Sequence, residues 1–190
     1  KYYDGKETTL TWIKVDVVPS GVAKLTVIPA ATIATVGQKL EHPIHLTLLD
    51  QKGLGVPGVP LDITPIKAPR KELNNIKSER QKTNRQGKVF FFPVVGKTAG
   101  DYQYQVKMTN ADMQFTVNAV ADKIDTLSIR SPKQRSFVAG SISRGFMVRA
   151  LDKYGNPATG KIIYYGITNA SMKARVGRSG YARLVIIMPS

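Results

Sequence analysis

Leu46-Thr47-Leu48-Leu49-Asp50-Gln51-Lys52-Gly53 and Val148-Arg149-Ala150-Leu151-Asp152-Lys153-Tyr154-Gly155 are one stretch written twice, 102 positions apart in a chain of 190 residues. Each copy reads as a half-buried strand, alternating apolar and polar residues, that runs into a tight turn. The aspartate can bond its own backbone, and the glycine three residues on can take positive φ. Ile44, Leu46 and Leu48 share one face with His45 and Thr47 opposite, while Phe146, Val148 and Ala150 share a face with Met147 and Arg149 opposite. The agreement in phase carries more weight than composition, because a slip of one residue would turn every apolar side chain outward.

Working outward, the same offset lays Ile13-Lys14-Val15-Asp16-Val17 on Phe115-Thr116-Val117-Asn118-Ala119. Strands are expected near residues 23–29, 43–50, 59–64, 87–95, 101–109 and 112–119. Tyr102, Tyr104, Val106 and Met108 would line one face of the fifth, and Phe115, Val117 and Ala119 one face of the sixth. Pro57, Gly58 and Pro60 punctuate a strand start or an edge. Many short strands separated by turn signals indicate an all-β sandwich or barrel, and a repeat of about 100 residues favours immunoglobulin-like sandwiches in tandem.

Residues 9–18 match the final strand of the full repeat, and Tyr2 falls on Tyr104. Laying Gly180 on Gly87 brings Ala182 and Leu184 onto Val89 and Phe91, so the last strand written corresponds to the fourth of the full repeat. The expected organisation is a terminal strand of a preceding Ig-like repeat in residues 1–21, a complete domain in 22–121 and a C-terminally incomplete one in 122–190. A window cut from a tandem array gives this pattern. An alternative is that another chain lends the last repeat its strands.

A hydrophobic content of 42% is sufficient for packed cores. The formal charge of +15 comes from 28 Lys and Arg against 13 Asp and Glu and favours anionic partners: lipid head groups or lipopolysaccharide, acidic glycans, nucleic acid or an acidic protein. No cysteine is present, which excludes disulfides and thiolate chemistry within these residues. No apolar run approaches the roughly 20 residues of a membrane helix.

Gly53 to Gly87 spans 34 residues and Gly155 to Gly180 spans 25, so the full repeat carries nine extra residues around 66–82. That segment is expected to be a loop or a short helical turn. It contains Lys67, Arg70, Lys71, Lys77, Arg80 and Lys82, a candidate partner-binding loop on a rigid scaffold. Residues 122–190 hold twelve basic residues against three aspartates, net +9, and Arg130, Lys133, Arg135, Arg175 and Arg178 make a second candidate surface.

Three successive signatures carry a family resemblance. They are Asp50-Gln51-Lys52-Gly53-Leu54-Gly55-Val56-Pro57-Gly58-Val59-Pro60-Leu61, then Thr83-Asn84-Arg85-Gln86-Gly87-Lys88-Val89, then Lys97-Thr98-Ala99-Gly100-Asp101-Tyr102. In this order they resemble the bacterial Ig-like domains of the invasin and intimin type. The second copy keeps Asp152, Gly155, Asn156, Pro157 and Gly180 but departs at Val176-Gly177-Arg178-Ser179 and lacks the Ala-Gly-Asp-Tyr element. The resemblance implies a spacer or presenter in a bacterial envelope, cell-surface or extracellular protein, with protein partners or neighbouring subunits.

Catalytic and cofactor chemistry find little support. His42 and His45, three residues apart near a strand start, would lie on opposite faces with no third ligand type nearby. Asp122 and Asp125 flank the junction between repeats, with Asp16 near the earlier one, but calcium takes roughly six to eight oxygen ligands, so a solvated linker is the expectation. No serine sits in a Gly-x-Ser-x-Gly elbow. Nucleic-acid reading is disfavoured, since no recognised motif accompanies the charge and the aromatics mostly fall on core phase. Trp12 beside Ile13 reads as packing near a domain edge.

A non-enzymatic stalk or adhesive presenter, without cofactor, is the leading expectation, and an anionic cell-surface polymer is a candidate partner. The rivals are a structural subunit of a secretion or conjugation apparatus, pilus or phage particle, and a carbohydrate-binding or accessory module of a large enzyme.

Overall fold

The alternation of apolar residues predicts strands that bury one face; the computed structural model describes residues 21, 24–29, 31–70, 72–108, 111–130, 137–167 and 170–188 and forms most of its strands in this way. The expectations for residues 1–20, with Tyr2, Ile13 and Trp12, and for Lys71, Lys133 and Arg135 lie outside the described residues.

The first set of strands forms two sheets. β1 (Lys24–Ile28), β3 (Ile44–Leu49) and β6 (Lys88–Phe91) pair antiparallel in the order β1-β3-β6. The other sheet has the order β2-β8-β7-β4-β5, built from β2 (Ala31–Thr35), β4 (Pro60–Lys67), β5 (Glu79–Lys82), β7 (Gly100–Met108) and β8 (Ala111–Val120). β2 runs parallel to β8, whereas the other pairings are antiparallel. The inward sets meet between the sheets: Leu25, Val27, Ile44, Leu46, Leu48, Val89 and Phe91 on one side, Leu61, Ile63, Tyr102, Tyr104, Val106, Phe115 and Val117 on the other. Tyr104 and Phe115 stack at 5.3 Å, and Phe91 meets Tyr104 edge-on at 5.5 Å, an arrangement favoured by the ring quadrupoles.

The expected loop at 66–82 is corrected in part. A 3-10 turn at Glu72–Asn75 leads to an edge strand, β5, whose Glu79-Arg80-Gln81-Lys82 pairs with β4. A wholly polar strand survives there because an edge exposes both faces and charge deters further pairing.

The second set repeats the first. β9 (Thr126–Arg130), β10 (Ile142–Leu151) and β13 (Tyr181–Ile187) form a sheet of order β13-β10-β9, and β11 (Ile162–Ile167) pairs with β12 (Ala170–Arg175). The turn bonds also repeat: Leu48 N donates to Gly87 O at 2.8 Å and Ala150 N to Gly180 O at 2.8 Å, while Val56 N and Ala158 N reach Leu48 O and Ala150 O at 3.0 Å. Gly87 is required at its crossing, since its φ is +72° and a Cβ would stand 2.3 Å from Leu48 O.

The two cores differ where β8 packs across β1. Leu25 and Val27 are each 8% exposed, whereas their counterparts Leu127 and Ile129 are 54% and 68% exposed. Among the described residues no strand of the second core corresponds to β7 or β8.

Candidate functional site

Both copies of the Asp-x-x-Gly turn begin with a buried aspartate, and the second turn reaches into the neighbouring domain. Asp50 Oδ1 accepts from Lys52 N at 2.9 Å and Leu54 N at 2.8 Å and so holds its own turn. Asp152 Oδ1 does the same for Tyr154 N and Asn156 N, at 2.9 and 2.8 Å. Its Oδ2 then accepts Asp122 N at 3.1 Å, from the segment leading out of the first domain.

Asn156 stands where the first turn has the exposed Leu54. Its amide bridges the domains: Nδ2 donates to Lys97 O at 2.7 Å, and Oδ1 accepts from Ala99 N at 2.9 Å. Nδ2 also donates to Asp152 Oδ2 at 2.9 Å, which fixes the amide's orientation. Tyr154 packs against the first core, over Gly37, where a Cβ would stand 2.4 Å from the tyrosine hydroxyl. The Lys153 and Lys97 ammonium groups sit 5.0 and 5.8 Å from that ring's centre, within cation–π range.

Lys153 also reaches Asp122 at 3.4 Å. The hydrogen bond from Lys123 N, aided by Lys153, holds the Asp122 carboxyl below its usual range. Hydrogen bonding to the Tyr154 hydroxyl and then to Asp122 raises the Lys153 ammonium. The expectation of a solvated linker is thus corrected at Asp122, which is buried and bonded, because both oxygens and its backbone N–H are committed to the joint. Among the described residues no three His, Cys, Asp or Glu lie close enough to hold a metal ion. The His45 ring lies edge-on against Phe90 at 5.0 Å.

The basic loop is tied to the same joint. Ile76 is buried and anchors the segment. Glu72 accepts Thr98 Oγ1 at 2.9 Å and Lys97 N at 3.1 Å, beside the residues that Asn156 clamps. Burial works to raise the Glu72 carboxyl, but the bonds from Thr98, Asn75 and the main chain outweigh it and hold the group below the usual carboxylate range. A carboxylate so depressed contributes stability that is full above its unfolded value and is lost as pH falls through the folded one. Protection of the Lys97 amide against hydrogen exchange is therefore expected to be constant at neutral pH and to fall in the acidic range where the Glu72 carboxylate takes up its proton, whereas in Glu72→Gln it does not change with pH. An unchanged profile in the variant would assign the transition to another acid.

Lys67, Arg70, Lys77, Arg80 and Lys82 are all exposed, and among the described residues Arg80 is the one engaged by a carboxylate, Asp62, at 3.4 Å. The structure does not draw them into one cluster with the second surface. Arg130, Arg175 and Arg178 are likewise exposed, but they stand on β9, at the end of β12 and in the turn before β13. The sequence reading missed Arg149, Arg183 and Tyr181, which share a sheet face with Arg130. The signal was in the strand phase, with Arg149 at a position already placed opposite the core.

No family model and no curated protein matches the sequence. Solved structures do match. FdeC, an Escherichia coli adhesin, superposes with a TM-score of 0.58 at 16% identity over 92% of this chain and 59% of that one. InvD of Yersinia pseudotuberculosis superposes at 0.50 and 13% identity over 90% of this chain and 57% of that one. The D0-D1 domains of intimin align over 89% of this chain and 86% of that one at 15% identity, with a TM-score of 0.38. The chain spans less than two thirds of FdeC and InvD. Among the described residues no helix is long and apolar enough to cross a membrane. The fold is that of the Ig-like β-sandwich domains found in bacterial adhesins of the invasin and intimin type, arranged in tandem.

Proposed function

We propose that this chain is a non-enzymatic spacer and presenter of a bacterial surface or extracellular protein, with residues 22–121 as one Ig-like domain and 122–190 belonging to the next. The observation that carries this reading is the joint, where the Asp152 and Asn156 hydrogen bonds and the packing of Tyr154 hold the second domain against the first. Stiffness between modules is what a stalk needs and a freely hinged pair lacks. The likeness to FdeC, itself an adhesin, supports the surface location. The exposed cations at 67–82 and on the second domain supply contact points for anionic partners.

Small-angle scattering tests the reading. The chain is expected to behave as an extended pair with one interdomain angle, and Asn156→Ala together with Tyr154→Ala is expected to broaden the distribution of shapes while leaving both domains folded. A broad distribution in the unaltered protein would sink the stalk. A second reading, a subunit docked in a larger assembly, draws on the uncovered apolar side of β9. Light scattering that showed concentration-dependent particles, abolished by Ile129→Ser, would favour it.

A further inference from the structure

The outer face of the β13-β10-β9 sheet is cationic without compensation. Register places Arg130 and Arg183 on either side of Met147, and Tyr181 beside Arg149. Side chains at these positions share one face, opposite the buried Val148, Ala150, Ala182 and Leu184. All three arginines are exposed. The three strands contain no Asp or Glu.

The Arg130 and Arg149 guanidiniums lie 5.9 and 5.7 Å from the centre of the Tyr181 ring. An aromatic platform between two guanidiniums limits their freedom and leaves their N–H forks for an external acceptor. Arg130 and Arg183 stand two strand spacings apart, about 9–10 Å. Guanidiniums gathered along this row suit the acid groups of a linear polymer, each planar fork taking a carboxylate or sulfate bidentately.

The same positions in the first domain hold Ile28, His45 and Phe90, paired in the corresponding row. The cationic row is therefore a property of the second domain and does not follow from the fold. We infer that the face formed by Arg130, Arg149, Arg183 and Tyr181 is a docking site for an acidic polysaccharide, taken up along the direction that crosses the strands. A flat sheet face suits a polymer lying across it better than a duplex, whose closely spaced phosphates three charges would meet at only a few points. The inference rests on the reading of the chain as a presenting module, and failure of that reading would show in the scattering profile, not in the titrations below.

Polygalacturonate and dextran sulfate serve as probes, with neutral dextran and phosphatidylglycerol vesicles beside them, all titrated at several salt concentrations. Combined Arg130→Gln, Arg149→Gln and Arg183→Gln is expected to weaken polyanion binding at least tenfold and to reduce the salt slope by about two to three. Combined Lys24→Gln, Lys52→Gln and Lys107→Gln removes the same charge elsewhere and is expected to change affinity less than threefold. Tyr181→Ala keeps the charge and is expected to weaken binding about three- to tenfold by releasing the guanidiniums. Circular dichroism confirms that each variant remains folded. Equal losses from the two triple variants would reduce the site to net charge, tight binding of neutral dextran would remove the role of the acid groups, and a preference for vesicles would assign the face to a membrane; each result overturns the inference.

Discussion

Asp152→Ala is expected to cost about 3–5 kcal/mol, because the buried carboxylate accepts hydrogen bonds that nothing else can take over. Tyr154 N, Asn156 N, Asn156 Nδ2 and Asp122 N would lose their shared acceptor together. The residue is 2% exposed, so water cannot readily replace it. Among the described residues the Asp50 side chain holds two backbone bonds, both within its own turn, so a smaller loss is expected from Asp50→Ala. Urea unfolding of both variants measures the difference, and equal losses would show that the bond across the joint contributes nothing. Asp152→Asn retains the shape and one good acceptor, so it is expected to fall between the two.

Leu25→Ala is expected to destabilise by about 2–5 kcal/mol and Leu127→Ala by less than about 1 kcal/mol, although the two leucines occupy the same place in the repeat. The first is 8% exposed on a strand that packs against β8, and truncation leaves a cavity in a packed core. The second is already more than half exposed, so truncation removes contacts that are few. Thermal unfolding of the two variants decides the matter. A large loss at Leu127 would mean that its apolar side is covered in solution, either by another copy or by further chain.

Much of the fold was legible because apolar phase is repeated twice. β1, β3, β4, β6, β7 and β8 each bury the residues that alternation assigns inward. β2 and β5 were not legible, for a physical reason. Ala31–Thr35 offers one small buried residue, Ala34, and turns its only large apolar side chain, Ile33, outward, while Glu79–Lys82 is an edge strand with no apolar residue. Such strands are held by backbone pairing with β8 and β4, which leaves no trace in hydrophobic pattern.

The joint and the cationic face were legible only in part. An asparagine at 156, facing leucine at 54 in the other copy, is a local departure from an apolar site, but its partners are backbone atoms 57 and 59 residues away. Arg130 was singled out by charge. Its grouping with Arg149, Arg183 and Tyr181 needed the strand register, which the sequence alone does not pair.

The clamp has a consequence for how such chains are assembled over evolutionary time. Its polar partners outside the turn are mostly main-chain atoms, Lys97 O, Ala99 N and Asp122 N, joined by the Asp122 carboxylate that Lys153 reaches, and Tyr154 lies over a bare backbone at Gly37. Most of the specificity therefore resides in the following module. A gene duplicating or reordering its repeats could place an Asp152–Asn156 type of turn behind almost any predecessor of the same fold and obtain a working joint, while the exposed faces diverge freely from one copy to the next.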